Sequence, residues 1–515
     1  MAEEFKTYNA AKEFVDRHRT SPYRDKPAFV DPARSLTYGE LAETTDRFAN
    51  LFTACAIPTE ARVALLMLDT ISYPPAFWGA IKAGIVPVPL NTLLTTEQYG
   101  YILADSRARA VVVSAPLLPA IKPLLGKLPH LKHVFVDGGE VPAFALDLAA
   151  ELAAQPTTFE AVATNADETA FWLYSSGSTG MPKGTRHIHL SLMSTAKLYG
   201  QGIIDIRPDD IVYSAAKIFF AYGLGNAMSF PLSVGATTIL LPDRPTPDAV
   251  FALLKKYQPT LFFGVPTLYA AMLNHPKASR DESSSRLRMC ISAGEPLPEE
   301  VGKAWRERFG VDILDGIGST EMLHIFVSNT PGDVRYGTSG KPVPGYAVRI
   351  VDENDRDLQD GEIGELLVSG PSSADGYWNQ REKTRRTFQG PWTRSGDKYT
   401  RSADGYFTYQ GRTDDMFKVS GIWCSPFEVE SALISHDAVL EAAVVAKEDG
   451  DGLVKPRAFV VLKSGIEGGD ALVRELQEHV KAKAGPWKYP RWITFAETLP
   501  KTATGKIQRF KLRDM

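Results

Sequence analysis

The chain has 515 residues, more than one ordinary hydrophobic core can hold, so at least two domains are expected. Apolar residues make up 44% and charged residues 23%, which is ordinary for a soluble globular protein, and 57 Lys and Arg against 61 Asp and Glu leave a net charge of −4. This balance offers no basic surface for nucleic acid, and the three cysteines lack both metal spacing and the number that a disulfide framework needs.

The first residues, the length of the apolar runs and the cysteines indicate the compartment of the protein. Met1 to Lys6 lack the basic and apolar regions of a signal peptide. No apolar run approaches the roughly 20 residues that span a membrane. Free thiols fit a reducing compartment. We therefore expect a cytoplasmic enzyme without a membrane partner, and either a monomer or a dimer fits the sequence.

Residues 36–66 predict a helix followed by a strand. Thr37 with Glu40 three residues later has the pattern of a capping box, and apolar positions recur at helical spacing through Leu51. The run from 62 to 68 is almost continuously apolar, as a strand buried on both faces of a parallel sheet should be.

Helices and strands continue to alternate beyond this point. Helices are predicted near 72–83 and 96–105, and strands are predicted at 86–90, 110–113, 211–214, 237–241 and 261–264. The alternation predicts an α/β fold, with a large multi-layer N-terminal domain built on two parallel-type sheets with helices.

From about residue 335 the chain is richer in Gly, Pro and short alternating strands, which predicts a β-rich subdomain at about 335–412. After residue 426, a helix at 426–435, strands at 441–446 and 458–462 and a helix at 470–484 follow. We expect an N-terminal domain over 1–412 and a small, mobile α+β C-terminal domain over 415–515, with a hinge at 413–415.

Residues 174–184, which read YSSGSTGMPKG after an apolar run, predict a phosphate-binding loop. Glycines allow a close backbone approach, successive N–H groups form an anion-binding concavity, and Lys183 adds a positive charge. The spacing matches neither the Walker A nor the Rossmann pattern. A flexible linker is the alternative, which the flanking apolar run and the Pro-Lys-Gly end disfavour.

Five further polar segments follow in order: Gly294–Pro296, Asp315–Glu321, Ser395–Asp397, Gly411–Asp415 and Pro500–Lys506. The second of them, Asp315–Glu321, is predicted to be another loop rich in glycine and hydroxyl groups. Together with the phosphate loop the five segments resemble the acyl-adenylate-forming (AMP-binding) superfamily of acyl-CoA synthetases, luciferases and adenylation domains, over nearly the whole chain. Lys217–Asn226 and Asp315–Phe326 look closest to the benzoate–CoA ligases.

The resemblance implies an acid–thiol ligase that uses ATP, Mg²⁺ and coenzyme A in aromatic compound degradation. Benzoate or a close aromatic carboxylate attacks the α-phosphorus of ATP, pyrophosphate leaves, and the CoA thiol then displaces AMP from the acyl-adenylate. Because a carboxylate approaches a polyanion, the first step needs positive charge and oriented donors.

The resemblance also implies the site residues. Thr320 binds the α-phosphate, Glu321 holds Mg²⁺, and Lys506 is the catalytic lysine that bridges the carboxylate and the α-phosphate. The nucleotide-binding residues are Ser175, Ser176, Gly177, Ser178, Thr179, Gly180 and Lys183 at the phosphates; Gly294, Glu295, Pro296, Asp315, Gly316 and Ile317 at adenine; and Asp397 and Arg412 at ribose. Each of three assignments has an alternative. Glu321 is then a solvated acid, Asp397 a turn residue and Lys506 a surface lysine.

Asp414 is the implied hinge, at which the C-terminal domain swings Lys506 away and presents a CoA-binding segment. That segment contributes Lys418, Ser420, Gly421 and Trp423. Acylation of Lys506 would remove its charge and switch the enzyme off.

The implied acyl pocket consists of Ala221, Tyr222, Gly318, His324 and Ile325. Small residues at 221 and 318 leave room for a flat ring, and Tyr222 and Ile325 offer it apolar faces. His324 is either a donor to the substrate or a satisfied core histidine.

The alternative substrates are a hydroxy- or aminobenzoate and a medium-chain fatty acid. The substituted benzoates stay open because an apolar pocket discriminates ring substituents poorly. A second hypothesis is an enzyme that loads a carrier protein or oxidises its adenylate. Whether free CoA is consumed distinguishes such an enzyme from a CoA ligase. A nucleotide-sensing scaffold is a third, disfavoured because Lys506, Thr320, Glu321 and Asp397 are all present.

Overall fold

The computed structural model describes residues 7–175, 181–413, 415–419, 422–450, 453–501, 507–513 and 515. Within them the strands are β1 (Pro27–Val30), β2 (Ser35–Thr37), β3 (Arg62–Leu66), β4 (Val86–Pro89), β5 (Ala110–Ser114), β6 (His133–Asp137), β7 (Leu146–Asp147), β8 (Thr169–Ser175), β9 (Lys183–Ile188), β10 (Ile211–Ser214), β11 (Thr237–Ile239), β12 (Leu261–Gly264), β13 (Met289–Ser292), β14 (Ile313–Gly318), β15 (Ile325–Ser328), β16 (Lys341–Pro342), β17 (Ala347–Val351), β18 (Gly364–Ser369), β19 (Gly376–Tyr377), β20 (Phe388–Gln389), β21 (Trp392–Arg401), β22 (Phe407–Arg412), β23 (Phe417–Val419), β24 (Ile422–Cys424), β25 (Val439–Glu448), β26 (Val454–Leu462) and β27 (Trp492–Phe495).

The α-helices of the same residues are α1 (Ala10–Phe14), α2 (Tyr38–Ala54), α3 (Tyr73–Lys82), α4 (Thr96–Asp105), α5 (Leu118–Ile121), α6 (Leu148–Ala153), α7 (His189–Thr195), α8 (Ala221–Leu224), α9 (Phe230–Val234), α10 (Pro247–Tyr257), α11 (Pro266–Leu273), α12 (Glu299–Phe309), α13 (Arg381–Thr387), α14 (Pro426–Ile434), α15 (Asp470–Ala484) and α16 (Arg509–Arg513). Ala196–Gln201 and Gly225–Ser229 are π-helical. None of these helices combines the length and hydropathy that crossing a bilayer requires.

Two sheets with parallel strands carry the N-terminal part. One has the order β4-β3-β5-β6-β7 and is parallel throughout. The other has the order β16-β15-β14-β13-β12-β10-β11-β1-β2; it is parallel from β14 to β1 and antiparallel at both ends. The predicted α/β class with parallel sheets is confirmed, and the central strands are buried because helices cover them.

The remaining sheets of the described residues have five strands or fewer. Strands β17, β18, β20, β21 and β22 form an antiparallel sheet in the region predicted to be β-rich. Strands β25 and β26 are antiparallel, and β27 adds to β26 in parallel. With α14 and α15 they enclose an apolar cluster that contains Val444, Val460 and Leu476 and lies wholly after residue 416. The domain boundaries themselves stay a prediction.

Local signals in the sequence match the observed elements closely. Helix α2 begins with a capping box: the Thr37 side chain accepts from the Glu40 backbone N–H, and the Glu40 carboxylate accepts from that of Thr37. Helix α15 has the predicted bounds, 470–484. One prediction was wrong in detail: the segment expected to be a loop from Asp315 begins as strand β14, because Asp315 to Gly318 continue the sheet beside β13 and β15.

Candidate active site

The two ends of the predicted phosphate loop lie side by side. Strands β8 and β9 form an antiparallel hairpin in which Ser175 pairs with Lys183. Lys183 is therefore the first residue of a strand, and not part of a loop as its motif suggested. Five residues predicted to bind phosphate lie outside the described residues: Ser176, Gly177, Ser178, Thr179 and Gly180.

Lys183, Glu321 and Tyr377 form a triangle of polar contacts. The Lys183 ammonium lies 3.0 Å from Oε1 of Glu321 and donates to the Tyr377 hydroxyl at 2.8 Å. That hydroxyl donates to the same Oε1 at 2.7 Å. Burial opposes ionisation of Glu321, but the charge of Lys183 and these hydrogen bonds outweigh it, so the pKa of Glu321 lies below its usual range. The carboxylate is thus ionised and partnered.

Tyr377 has no counterpart among the residues predicted from the sequence. It lies in β19, which pairs with β9, so its side chain reaches Lys183 across a sheet contact between residues 194 positions apart. Burial and the charge of Glu321 raise its pKa far above the usual value, so the hydroxyl keeps its proton. A sequence pattern does not indicate such a contact, because the partners come from distant segments.

The turn that carries Thr320 is held by a second residue without a predicted role. Nε2 of His187 lies 2.8 Å from the Thr320 carbonyl oxygen. Burial lowers the pKa of His187 to about 4, so the imidazole is neutral and donates to this carbonyl. His187 stacks on Phe171 of the neighbouring strand, with ring centroids 5.1 Å apart. Strand β9 therefore positions Lys183 and, through His187, the Thr320–Glu321 turn.

The residues predicted to line the adenine slot lie at the carboxyl ends of β13 and β14. Asp315 is buried and accepts from the Leu297 backbone N–H at 3.3 Å. Burial raises the pKa of Asp315 to about 8, so the carboxyl group is largely protonated at neutral pH. Gly294 has φ = +96°, a left-handed conformation that favours glycine.

Asp397 and Arg412, predicted to bind ribose, face each other across β21 and β22. Nη1 of Arg412 lies 3.0 Å from Oδ1 of Asp397 and 3.2 Å from the Ser395 carbonyl oxygen. The charge of Asp397 raises the pKa of Arg412, and that of Glu321 acts in the same direction. The structure therefore brings Asp397 and Arg412 together near the Lys183–Glu321–Tyr377 triangle.

The predicted acyl-pocket residues converge between β12, β14 and α8. The Tyr222 hydroxyl, at the start of α8, lies 3.3 Å from the carbonyl oxygen of Gly264 and 3.2 Å from that of Ile291, and its one proton is shared between these two acceptors. Gly318 pairs with Ile325, and a side chain at 318 would approach the His324 carbonyl carbon to 2.7 Å. The backbones approach so closely here that only glycine fits.

His324 is buried among rings and is neutral. Its centroid lies 4.5 Å from that of Phe230, 5.3 Å from that of Tyr199 and 5.5 Å from that of Tyr222. Burial lowers its pKa to about 3. Nε2 lies 3.0 Å from Oδ1 of Asn226, so this nitrogen carries the proton and donates. Nδ1 is buried without a hydrogen-bond partner among the described residues, and in this tautomer it can only accept.

The C-terminal site predictions are only partly covered. Lys506, Asp414, Ser420 and Gly421 lie outside the described residues. Lys418 and Trp423 are opposite each other in the β23–β24 pair. On either side of the Lys506 segment, Lys501 and Ile507 form an antiparallel bridge, and Lys501 pairs with Glu441 at 2.7 Å.

Two family models match the chain. The AMP-binding enzyme model matches residues 16–378, and the model of the AMP-binding enzyme C-terminal domain matches residues 428–506. The chain belongs to the AMP-binding enzyme family. The resemblance drawn from six ordered motifs is thereby confirmed.

Several relatives of this AMP-binding enzyme match it over nearly their whole length. The 4-hydroxybenzoate–CoA/benzoate–CoA ligase of Rhodopseudomonas palustris is 56% identical over 99% of this chain and 94% of its own. The benzoate–CoA ligase of Thauera aromatica is 57% identical over 98% and 96%. The crystal structure of a benzoate CoA ligase from Burkholderia xenovorans is 50% identical, with a TM-score of 0.92, over 98% of this chain and all of that one.

Proposed function

We propose that this protein is an ATP-dependent aryl-CoA ligase that joins benzoate to coenzyme A through an acyl-adenylate and releases AMP and pyrophosphate. The observation that carries the proposal is the identity of 56% and 57%, over nearly the full chain, to ligases that act on benzoate. AMP-binding CoA ligases use ATP, Mg²⁺ and CoA, and the acidic, basic and hydroxyl groups gathered around Glu321 suit that chemistry.

The phosphate-binding roles follow from charge and position. Lys183 pairs with Ser175 at the ends of the predicted phosphate loop, and in this proposal it binds the β- and γ-phosphates. Thr320 donates to the α-phosphate from a turn that His187 holds. Arg412, paired with Asp397, adds a positive charge on the ribose side, while Asp397 accepts from the ribose hydroxyls. Lys506 approaches the α-phosphate with the C-terminal domain and lowers the repulsion that the incoming carboxylate meets.

The Mg²⁺ that the family uses fits the donors present. The Glu321 carboxylate is a hard oxygen ligand, and its side chain is only 14% exposed. The described residues contain no cluster of three or more His, Cys, Asp or Glu that would make a complete cage. This fits an ion held by one carboxylate and by substrate phosphates, where it neutralises phosphate charge.

The acyl group lies, in this proposal, against Ala221, Tyr222, Gly318, His324 and Ile325. The Tyr222 hydroxyl is anchored between the Gly264 and Ile291 carbonyl oxygens, so the ring offers a rigid apolar face. The neutral His324 adds a polarisable ring without a charge that would need to be desolvated. A flat aromatic carboxylate suits this environment.

A substrate panel tests the proposal. Purified protein is given ATP, Mg²⁺ and CoA with benzoate, 4-hydroxybenzoate, 2-aminobenzoate, cyclohexanecarboxylate or octanoate, and AMP and thioester are measured. We expect the highest kcat/KM with benzoate, strict dependence on CoA, and lower values with the non-planar ring. A clear preference for octanoate would contradict the aromatic assignment, and adenylation without CoA consumption would favour a carrier-loading enzyme.

A hydroxybenzoate is the second candidate substrate. The 56% identical relative from Rhodopseudomonas palustris is named for 4-hydroxybenzoate as well as benzoate. The acceptor nitrogen Nδ1 of His324 also lacks a partner among the described residues, and a ring hydroxyl could donate to it. A kcat/KM for 4-hydroxybenzoate equal to that for benzoate would support this dual specificity.

We also propose a hinge at Asp414 between domains 1–412 and 415–515, and control by acylation of Lys506. Loss of the lysine charge would stop adenylation, because that charge is needed at the α-phosphate. Mass spectrometry of protein from its host tests this. Absence of acylated Lys506 under all growth conditions would contradict it.

A further inference from the structure

The Lys183 ammonium lies against Glu321, the carboxylate proposed to hold Mg²⁺. Nζ is 3.0 Å from Oε1, and the side chains of Lys183 and Glu321 are only 20% and 14% exposed. A carboxylate in such a site is costly to leave without a cation, because burial disfavours its charge. Lys183 supplies that cation in the structure described.

Tyr377 holds the ammonium in place. Its hydroxyl accepts from Lys183 at 2.8 Å and donates to Glu321 at 2.7 Å, so the three groups close a ring of contacts. The ammonium also lies 4.1 Å from the centroid of the Tyr377 ring. Thr387 offers the hydroxyl another acceptor, with Oγ1 at 3.5 Å. When Lys183 leaves, the hydroxyl still has Glu321 as its acceptor.

A divalent cation and the ammonium would repel each other at this carboxylate. Two positive charges about 3–4 Å apart repel strongly in a partly buried site, where screening by water is weak. ATP phosphates, in contrast, attract the ammonium and bring a metal ion with them. The described contacts therefore suit an exchange of partners.

We propose that Lys183 is a placeholder cation, which blocks metal binding at Glu321 until nucleotide phosphates draw it away. The inference rests on the proposed metal role of Glu321. Metal then enters with the nucleotide and not before it, and Glu321 is never left without a positive partner. Tyr377 is a positioning residue that holds Lys183 on Glu321 in the nucleotide-free enzyme.

Electron paramagnetic resonance of Mn²⁺, used in place of Mg²⁺, tests the proposal without an activity assay. Free Mn²⁺ is titrated against the full-length protein without nucleotide. We expect Lys183→Gln to bind Mn²⁺ about tenfold or more tightly than the natural protein, because a like charge at contact distance has been removed. Arg186→Gln is the matched control: it removes the same charge three residues along β9, where Arg186 pairs with Asp375. We expect it to stay within about twofold of the natural protein.

The double variant Lys183→Gln/Glu321→Gln should lose the gain, which locates the ion at Glu321. Equal affinity in the natural protein and Lys183→Gln would overturn the proposal, as would an equal gain in Arg186→Gln. If Lys183→Gln does not fold, as judged by circular dichroism, Tyr377→Phe should give a smaller gain, and no gain there would overturn it. Failure of the underlying metal role has a different signature: with ATP present, Glu321→Gln would take up as much Mn²⁺ as the natural protein.

Discussion

Burial decides the charge of individual groups in this site. It keeps His187 and His324 neutral by lowering their pKa to about 4 and about 3, and it raises the pKa of Asp315 to about 8. Glu321 is largely buried too, yet Lys183 beside it lowers the pKa of this carboxyl group. The carboxyl groups of Asp315 and Glu321 therefore differ in protonation state, because their nearest partners differ.

Asp315 should make stability depend on pH. Its pKa is higher in the folded chain than in the unfolded one, so the folded state holds the proton more tightly and stability falls as pH rises from about 4 to about 8. Asp315→Asn keeps an acceptor for the Leu297 N–H but cannot ionise. Thermal unfolding over this range should show that the free energy of unfolding of the variant rises relative to that of the natural protein, by up to about a few kcal/mol. The difference should level off above about pH 8. A difference that does not change with pH would contradict the expectation.

At the scale of elements, the β8–β9 hairpin and the segment around α8 organise the two ends of the site. The hairpin carries Lys183 and His187 on one strand. Helix α8 runs into the π-helical turn Gly225–Ser229, and such turns often occur at functional sites because they shift side chains relative to an α-helix.

Gly225→Ala should disturb the acyl pocket and little else. The backbone φ of −61° suits alanine, and Gly-to-Ala changes in helices usually stabilise, but a Cβ here would overlap Cδ2 of His324. We expect the KM for benzoate to rise about tenfold while the KM for ATP changes little. Gly469→Ala is the control, since nothing lies within 4 Å of its added Cβ. Equal kinetics for the two variants would contradict the role of this contact.

The capping box of α2 should contribute to stability rather than activity. Thr37→Ala removes the hydroxyl that accepts from the Glu40 N–H at 3.2 Å, which costs about 1 kcal/mol for an N-cap of this type. Thr37→Ser keeps the acceptor and should remain close to the natural protein. Denaturant unfolding measures both, and a loss in the serine variant as large as in the alanine variant would argue against capping.

At the scale of the whole molecule, the proposed reaction divides between the two ends of the chain. The described groups around Glu321 come from residues 183 to 412, whereas the proposed catalytic lysine is residue 506. Two apolar clusters consist wholly of residues after 416, as expected of a part of the chain that moves as a unit.

Lys506→Ala should therefore separate the half-reactions. Adenylate formation should fall by about 100-fold or more, because the charge that assists attack at the α-phosphate is lost. Conversion of chemically supplied benzoyl-AMP and CoA to benzoyl-CoA should persist, since the lysine is proposed to act only in adenylate formation. Pyrophosphate exchange follows the first step and thioester formation follows the second. Full overall activity in the variant would refute the role of Lys506.

By itself the sequence determined features that depend on nearby residues. Helical periodicity and the Thr37–Glu40 pattern located α2, the spacing after residue 470 located α15, and ordered glycine and hydroxyl motifs identified the family. These signals are local because capping and amphipathic spacing act within a few residues. The roles of Lys506 and of the phosphate loop stay predictions from that same source.

Only the tertiary structure decided which groups meet. Tyr377 touches Lys183 across 194 positions and Glu321 across 56, and His187 reaches Thr320 across 133. It also made Asp315 part of a strand and buried it deeply enough to hold a proton near neutral pH. Contacts of this kind depend on sheet register and on exclusion of water, which arise once distant segments pack, so no short pattern in the chain encodes them.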